Sequence, residues 1–171
     1  MADDYLQVAL ITEVFFDDPT GERLQRALVD AQSRGADLAL LPEIPLNRWS
    51  PASKQAIDED AEEPDGWRQT LMAEAAKSVG IGLVGGAIIR DPDTGIRYNT
   101  ALLYDGKGVC HARYRKVHLP EEEGYWETSH YMPGTEPPQA ISDTFSLTVG
   151  LQICSDVNRP QGFQILSSGG A

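Results

Sequence analysis

Residues 146–161 read SLTVGLQICSDVNRPQ. Leu147, Val149, Leu151 and Ile153 alternate with Thr148, Gly150 and Gln152, a period of two that predicts a strand with one buried face. The strand ends at Cys154. Beyond it, Asn158 suits a helix cap and Pro160 suits the first helical turn, where its missing N–H costs nothing. A cysteine is thus expected in a short turn between a strand and a helix. Free N–H groups and the positive end of a helix dipole at such a turn favour the thiolate, the form that attacks carbon. The alternative is a small apolar residue with no chemistry. What the rest of the chain brings to this turn decides between them.

Working outward, Tyr5 to Ile11 is an apolar run of strand length. Asp17-Asp18-Pro19 then opens a helix with Leu24, Ala27, Leu28 and Ala31 at helical spacing, and Gly35 is placed to end it. Leu38 to Leu41 follows as an apolar strand. Strand, helix and strand with short links make a βαβ unit, whose strands pair in parallel through a right-handed crossover. Glu43 directly follows the second strand. Ile44 to Asp65, with five acids between Asp58 and Glu63 and prolines at 45, 51 and 64, reads as a surface loop with a helical turn, a candidate lid.

Trp67 to Val79 is a second helix, its inner face Leu71, Met72, Ala75, Ala76 and Val79, stopped by Gly80. Ile81 to Ile89 is a strand whose three glycines predict close backbone approach. Turns at Asp91–Gly95 and Asp105–Gly108 lead into strands Tyr98–Tyr104 and Val109–Lys116. The expected fold class is therefore α/β, a mixed sheet with helices on one face. The span 1–171 reads as a single domain. The final crossover helix has no strand after it, so the chain is expected to lack its C-terminal portion.

The net charge of −12 argues against nucleic acid and anionic membrane as partners and leaves small-molecule chemistry. Cys110 and Cys154 form neither a CxxC unit nor a disulfide framework, which suits a reduced cytoplasmic setting. No apolar run approaches membrane-spanning length, and the acidic N-terminus lacks the pattern of a signal peptide.

Glu43, Lys116 and Cys154 each fall at a strand end, and in open α/β sheets those ends form the rim where ligands bind. Singly, Glu43 could be a solvated acid and Lys116 part of an exposed basic patch. Together they sit in three ordered motifs: Leu40-Leu41-Pro42-Glu43, Tyr114-Arg115-Lys116-Val117-His118-Leu119-Pro120 and Gly150-Leu151-Gln152-Ile153-Cys154-Ser155-Asp156. With Gly85-Gly86-Ala87, Tyr98-Asn99-Thr100-Ala101, Gly124-Tyr125-Trp126-Glu127 and Tyr131-Met132-Pro133-Gly134, the chain resembles the nitrilase superfamily of carbon–nitrogen hydrolases along nearly its whole length. The resemblance implies a four-layer αββα sandwich, of which these residues cover the first part. It also implies a homo-oligomer, and it makes Glu127 a second glutamate that orients Lys116 and the substrate.

The chemistry follows from the residue types. An unactivated amide or ureido carbon needs a strong nucleophile, a proton carrier and positive charge for the oxyanion. Cys154 supplies the first, Glu43 the second, and Lys116 with backbone N–H near Ser155 the third. The expected activity is hydrolysis of a linear amide or N-carbamoyl amine through a Cys154 thioester, with release of ammonia and no cofactor. Asp156, two after the cysteine, resembles the amidase and carbamoylase branches, and the segment from Leu119-Pro120 to Pro133-Gly134 leans toward N-carbamoylputrescine amidases. Nitrile hydrolysis is a further alternative. The chain departs from the family pattern at Ser155, at Arg159-Pro160-Gln161 and at Gln164; Gln161 and Gln164, with the expected lack of the C-terminal portion, motivate a rival reading as a truncated or degenerate, non-catalytic chain that binds small molecules or a partner. Two others are a cysteine–histidine hydrolase using His118 or His130, and a metal site from Cys110, His111, His118 and His130, whose spacing fits no zinc pattern.

Overall fold

The structure, a computed structural model, describes residues 5–171; the acidic pair Asp3-Asp4 lies outside them. Its centre is a mixed sheet in which β1 (Val8–Leu10), β2 (Leu38–Leu40) and β4 (Gly82–Arg90) run parallel. From β4 the sheet continues antiparallel through β5 (Arg97–Tyr104) to β6 (Cys110–Arg115). Helix α1 (Glu22–Ser33) joins β1 to β2, the expected βαβ unit. Helix α2 (Trp67–Val79) has the predicted bounds and ends at Gly80, left-handed with φ 77°.

Alternation along the strands sorts the core into two faces. Ala39, Leu83 and Leu102 pack under Leu24, Leu28, Met72 and Ala76 of the helices. Leu38, Val84, Ala101 and Leu103 face the other way, toward Leu151 and Ile153. Helix layer and sheet are thus two of the expected layers. The far face carries β9 (Ala140–Ile141) paired with β10 (Val149–Gly150), and the chain closes with α3 (Pro160–Ser168). Among the described residues no helix is long and apolar enough to cross a membrane.

Four local expectations need correction. The strand expected over Leu147–Ile153 pairs only at Val149–Gly150; Leu151 and Ile153 are buried against the sheet, so the alternation marks burial without a ladder. Asn158 closes a 3-10 turn, Cys154–Asn158, and α3 is capped at Arg159 with Pro160 in its first turn. Helix α1 begins at Glu22, later than Asp17-Asp18-Pro19 suggests. Its N-cap Gly21 has no side chain, and Asp18 supplies the cap by accepting the N–H groups of Arg23 and Leu24 at 2.9 and 3.0 Å.

The last correction concerns residues 44–65, which are more than a surface loop. Ile44 and Leu46 are buried, and the short strand β3 (Ala61–Glu62) pairs with the far end of β4. Glu62 then caps α2, whose own N-cap is Gly66, by accepting the N–H groups of Arg68 and Gln69. Between β2 and β3 the edge of β4 at Gly85-Gly86 is left to the departing chain Leu41–Ile44. A Cβ on Gly86 would stand 3.3 Å from the Ile44 nitrogen, and one on Gly85 would stand 2.5 Å from Met72 Sδ. Met72 is fully buried. Gly85→Ala is therefore expected to destabilise the fold by about 1–3 kcal/mol, read as a lower urea midpoint at unchanged slope.

Candidate active site

Three chain segments deliver the site from the strand ends. Glu43 follows β2 at the point where Ile44 takes φ 43°, a left-handed backbone that is costly for a β-branched residue. Lys116 follows β6, its N–H bonded to the Asn99 carbonyl and its own carbonyl to the Gly134 N–H, both at 2.8 Å. Glu127 comes from the far side of a hairpin, β7 (Glu121–Glu122) and β8 (Tyr125–Trp126), and opens the 3-10 turn Glu127–Ser129. This turn is fixed by Glu127 N–H to Pro120 O and by the N–H groups of His130 and Tyr131 to Glu127 O.

The three side chains meet. Lys116 Nζ stands 2.8 Å from Glu43 Oε1 and 2.7 and 2.9 Å from the two Glu127 oxygens. The Lys116 and Glu127 side chains have no solvent exposure, and Glu43 retains 20%. Lys116 is thus not part of a basic surface patch. Its pKa is raised: burial works against the charge, but Glu43 and Glu127 outweigh it. Burial pushes the Glu127 carboxyl up, only partly offset by Lys116, and the charge of Glu43 adds to the rise. Asn99, buried on β5, donates its amide to Glu43 Oε1 at 2.6 Å, so two donors share that oxygen. The sequence reading quoted Asn99 as part of a motif but gave it no role.

Cys154 is the first residue of its 3-10 turn, with an exposed side chain and φ 45°. Together with Glu43, Asn99 and Gln152 it lines a cavity of about 200 Å³ whose walls include Leu40, Ile44, Gly86 and Ala101. The thiol departs from expectation: burial and the charge of Glu43 beside it raise its pKa, and Lys116 lowers it less. A five-residue turn supplies little dipole to oppose these two effects. The N–H of Ser155 lies in the first turn and has no acceptor within it, whereas the Ser155 hydroxyl donates to the His118 carbonyl.

The other candidates do not converge on Cys154. His118 Nδ1 is 2.8 Å from Asp156 Oδ1, His130 Nε2 is 2.7 Å from the Ser53 carbonyl, and His111 Nε2 is 3.0 Å from Asp105 Oδ2. The half-buried Cys110 thiol donates to the Ala112 carbonyl. Among the described residues no group of three or more His, Cys, Asp or Glu side chains is arranged to hold a metal. An aromatic wall stands outside the cavity, on the segments after Glu43 and before Glu127: Trp49 meets Tyr125 edge-on at 5.7 Å and donates its indole N–H to the Gly124 carbonyl, and the Lys54 ammonium lies 4.0 Å above the Trp126 ring.

The fold is shared with solved enzymes. A carbon-nitrogen hydrolase from Helicobacter pylori G27 superposes with TM-score 0.82 at 19% identity, covering 97% of this chain and 57% of that one. A second crystal structure is a Glu-to-Gln variant of the amidase from Nesterenkonia sp. AN1, showing Michael addition of acrylamide at its active site cysteine. It matches with TM-score 0.76 at 25% identity, over 98% of this chain and 64% of that one. The omega-amidase NIT2-B of Xenopus laevis is 31% identical over 150 residues, 85% of this chain and 52% of that protein. The family model for carbon-nitrogen hydrolases matches residues 12–171, and the chain belongs to that family, within the nitrilase superfamily. It spans about half the length of the curated relatives it matches.

Removing Lys116 leaves Glu43 and Glu127 facing each other without a counter-charge. Lys116→Met is expected to cost about 3–5 kcal/mol of folding stability near neutral pH. Glu127 binds its proton more tightly in the folded protein than at the ordinary glutamate value of 4.5. Stability from that proton is present below the ordinary value and lost as pH rises through the raised one. The deficit of the variant should therefore shrink as pH falls toward 4.5, which urea unfolding across pH reads directly.

Proposed function

We propose that the protein hydrolyses the C–N bond of a linear amide through a Cys154 thioester, with an N-carbamoyl amine following the same path. The observation that carries this reading is the buried Lys116 bridging Glu43 and Glu127 beside a cavity that Glu43 and Cys154 both line. Glu43 takes the thiol proton as Sγ attacks the carbonyl carbon. A thiol whose pKa is raised by burial and by the charge of Glu43 calls for such a base. The oxyanion forms next to Lys116 and the Ser155 N–H, which act as positive groups already fixed in place. Glu43 returns the proton to the leaving nitrogen and ammonia departs, leaving the thioester. It then draws a proton from water, whose oxygen attacks the thioester carbon and releases the acid and the thiol.

Glu127 orients Lys116 and keeps its ammonium in place. Amidase relatives support an amide over a nitrile as substrate. The family likeness extends the proposal to a homo-oligomer, the unpaired Cys110 and Cys154 to a reduced cytoplasmic setting, and the chemistry supplied by Cys154, Glu43 and Lys116 to an enzyme that needs no cofactor.

Incubation of the complete chain with a panel of short amides and ureido compounds, followed by intact mass measurement, tests the reading. The expected result is an acyl or carbamoyl adduct on Cys154 that is absent in Cys154→Ala. Glu43→Gln should slow its formation by about 10²–10⁴-fold. No adduct and no ammonia across the panel would instead favour the non-catalytic binding chain.

A further inference from the structure

Asp156 lies two residues beyond Cys154 in the same 3-10 turn and is 2% exposed. Its carboxylate is surrounded by donors. Oδ2 accepts the Tyr114 hydroxyl at 2.9 Å and the Ile153 N–H at 3.4 Å. Oδ1 accepts the His118 N–H at 2.8 Å and stands 2.8 Å from His118 Nδ1. Tyr114 lies on β6 and His118 two residues past Lys116, so one side chain joins the cysteine turn to the segment that carries the lysine. The Ser155 hydroxyl adds a second strap to the same segment through the His118 carbonyl.

A buried carboxylate is a costly way to fill space, since its desolvation must be recovered in hydrogen bonds. A well-packed apolar residue would hold the turn against the sheet at lower cost. What the carboxylate adds is direction: it fixes both strand ends at defined distances from one point. Cys154 needs such a restraint, because φ 45° stores strain that a free turn would release.

We propose that Asp156 is a positioning residue, whose carboxylate locks the Cys154 turn to the Tyr114–His118 segment and so holds the thiol against Glu43 and Lys116. The inference rests on the reading of Glu43 as proton partner of Cys154, and the experiment separates the two. Alkylation of Cys154 by iodoacetamide requires no substrate and is followed across pH on the Cys154 peptide, apart from Cys110. The rate is measured in the complete chain with and without Glu43→Gln, each in the native, Asp156→Ala and Asp156→Asn backgrounds.

In the native background Glu43→Gln is expected to change the rate by about tenfold, the scale of coupling between groups in contact. In Asp156→Ala the same change should alter the rate less than about twofold and leave its pH profile unmoved. Asp156→Asn, which keeps the size and one acceptor, should fall between. An undiminished Glu43 effect in a folded Asp156→Ala protein overturns the proposal while leaving Glu43 as partner of the thiol. If Asp156→Ala does not fold, Asp156→Asn and Tyr114→Phe serve instead: a reduced Glu43 effect supports the proposal and an unchanged one in both overturns it. No effect of Glu43→Gln in the native background overturns the Glu43 pairing and this inference with it.

Discussion

An ammonium group stripped of water between two carboxylates is the constraint to which the other parts conform. Desolvating Lys116, Glu43 and Glu127 costs several kcal/mol per ion, recovered only when the partners are held at hydrogen-bond distance. None of the three is near another on a single element. The parallel order of β1, β2 and β4 brings Glu43 to one side, the antiparallel return through β5 brings Lys116 to the other, and the β7–β8 hairpin carries Glu127 over both. Backbone bonds pin each carrier where it leaves the sheet: Lys116 N–H to Asn99 O, Gly134 N–H to Lys116 O, and Glu127 N–H to Pro120 O. The strand order and the ion cluster are thus one arrangement seen at two scales.

Two carboxylates around one lysine leave an excess negative charge, and the thiol stands beside it. Burial raises the Glu127 and Cys154 pKa values, and the charge of Glu43 adds to both rises. A nucleophile whose pKa is raised in this way depends on a base for its activation. The strained backbones fit this picture, because Ile44 and Cys154 are both left-handed and flank the cavity from opposite segments. The glycines of β4 make the room: without side chains at 85 and 86, the chain carrying Glu43 can lie against the sheet edge.

Much of this was legible in the residues, and the rest failed for identifiable reasons. Helix α2 was readable because its apolar period ends at a glycine, and the β4–β6 meander because its turns carry Asp, Pro and Gly. Alternation before Cys154 correctly marked Leu151 and Ile153 as buried, but a ladder needs a partner, and only Ala140–Ile141 lies alongside. The run Asp58–Glu63 looked uniformly solvated, yet Glu62 turns inward to cap α2, because Gly66 cannot. Composition does not say which of five acids faces a helix end. The local turn alone misleads about the thiol, since burial and the charge of Glu43, distant in sequence, both raise its pKa. Asn99 and Asp156 were visible as letters of motifs, but their hydrogen bonds belong to the assembled fold.

The aromatic wall gives the protein an optical property. Trp49 and Trp126 sit on the two loop segments bordering the ion cluster, one against Tyr125 and the Gly124 carbonyl, the other beneath an ammonium. Trp67, the remaining indole, is half-exposed at the start of α2 and away from those loops. Emission from an indole is sensitive to carbonyl dipoles and to a nearby positive charge, and Trp67 has its own in the Arg68 guanidinium, 4.8 Å from its ring. The chain thus carries three intrinsic fluorophores in distinct settings, two of them on the segments that adjoin Glu43 and Glu127.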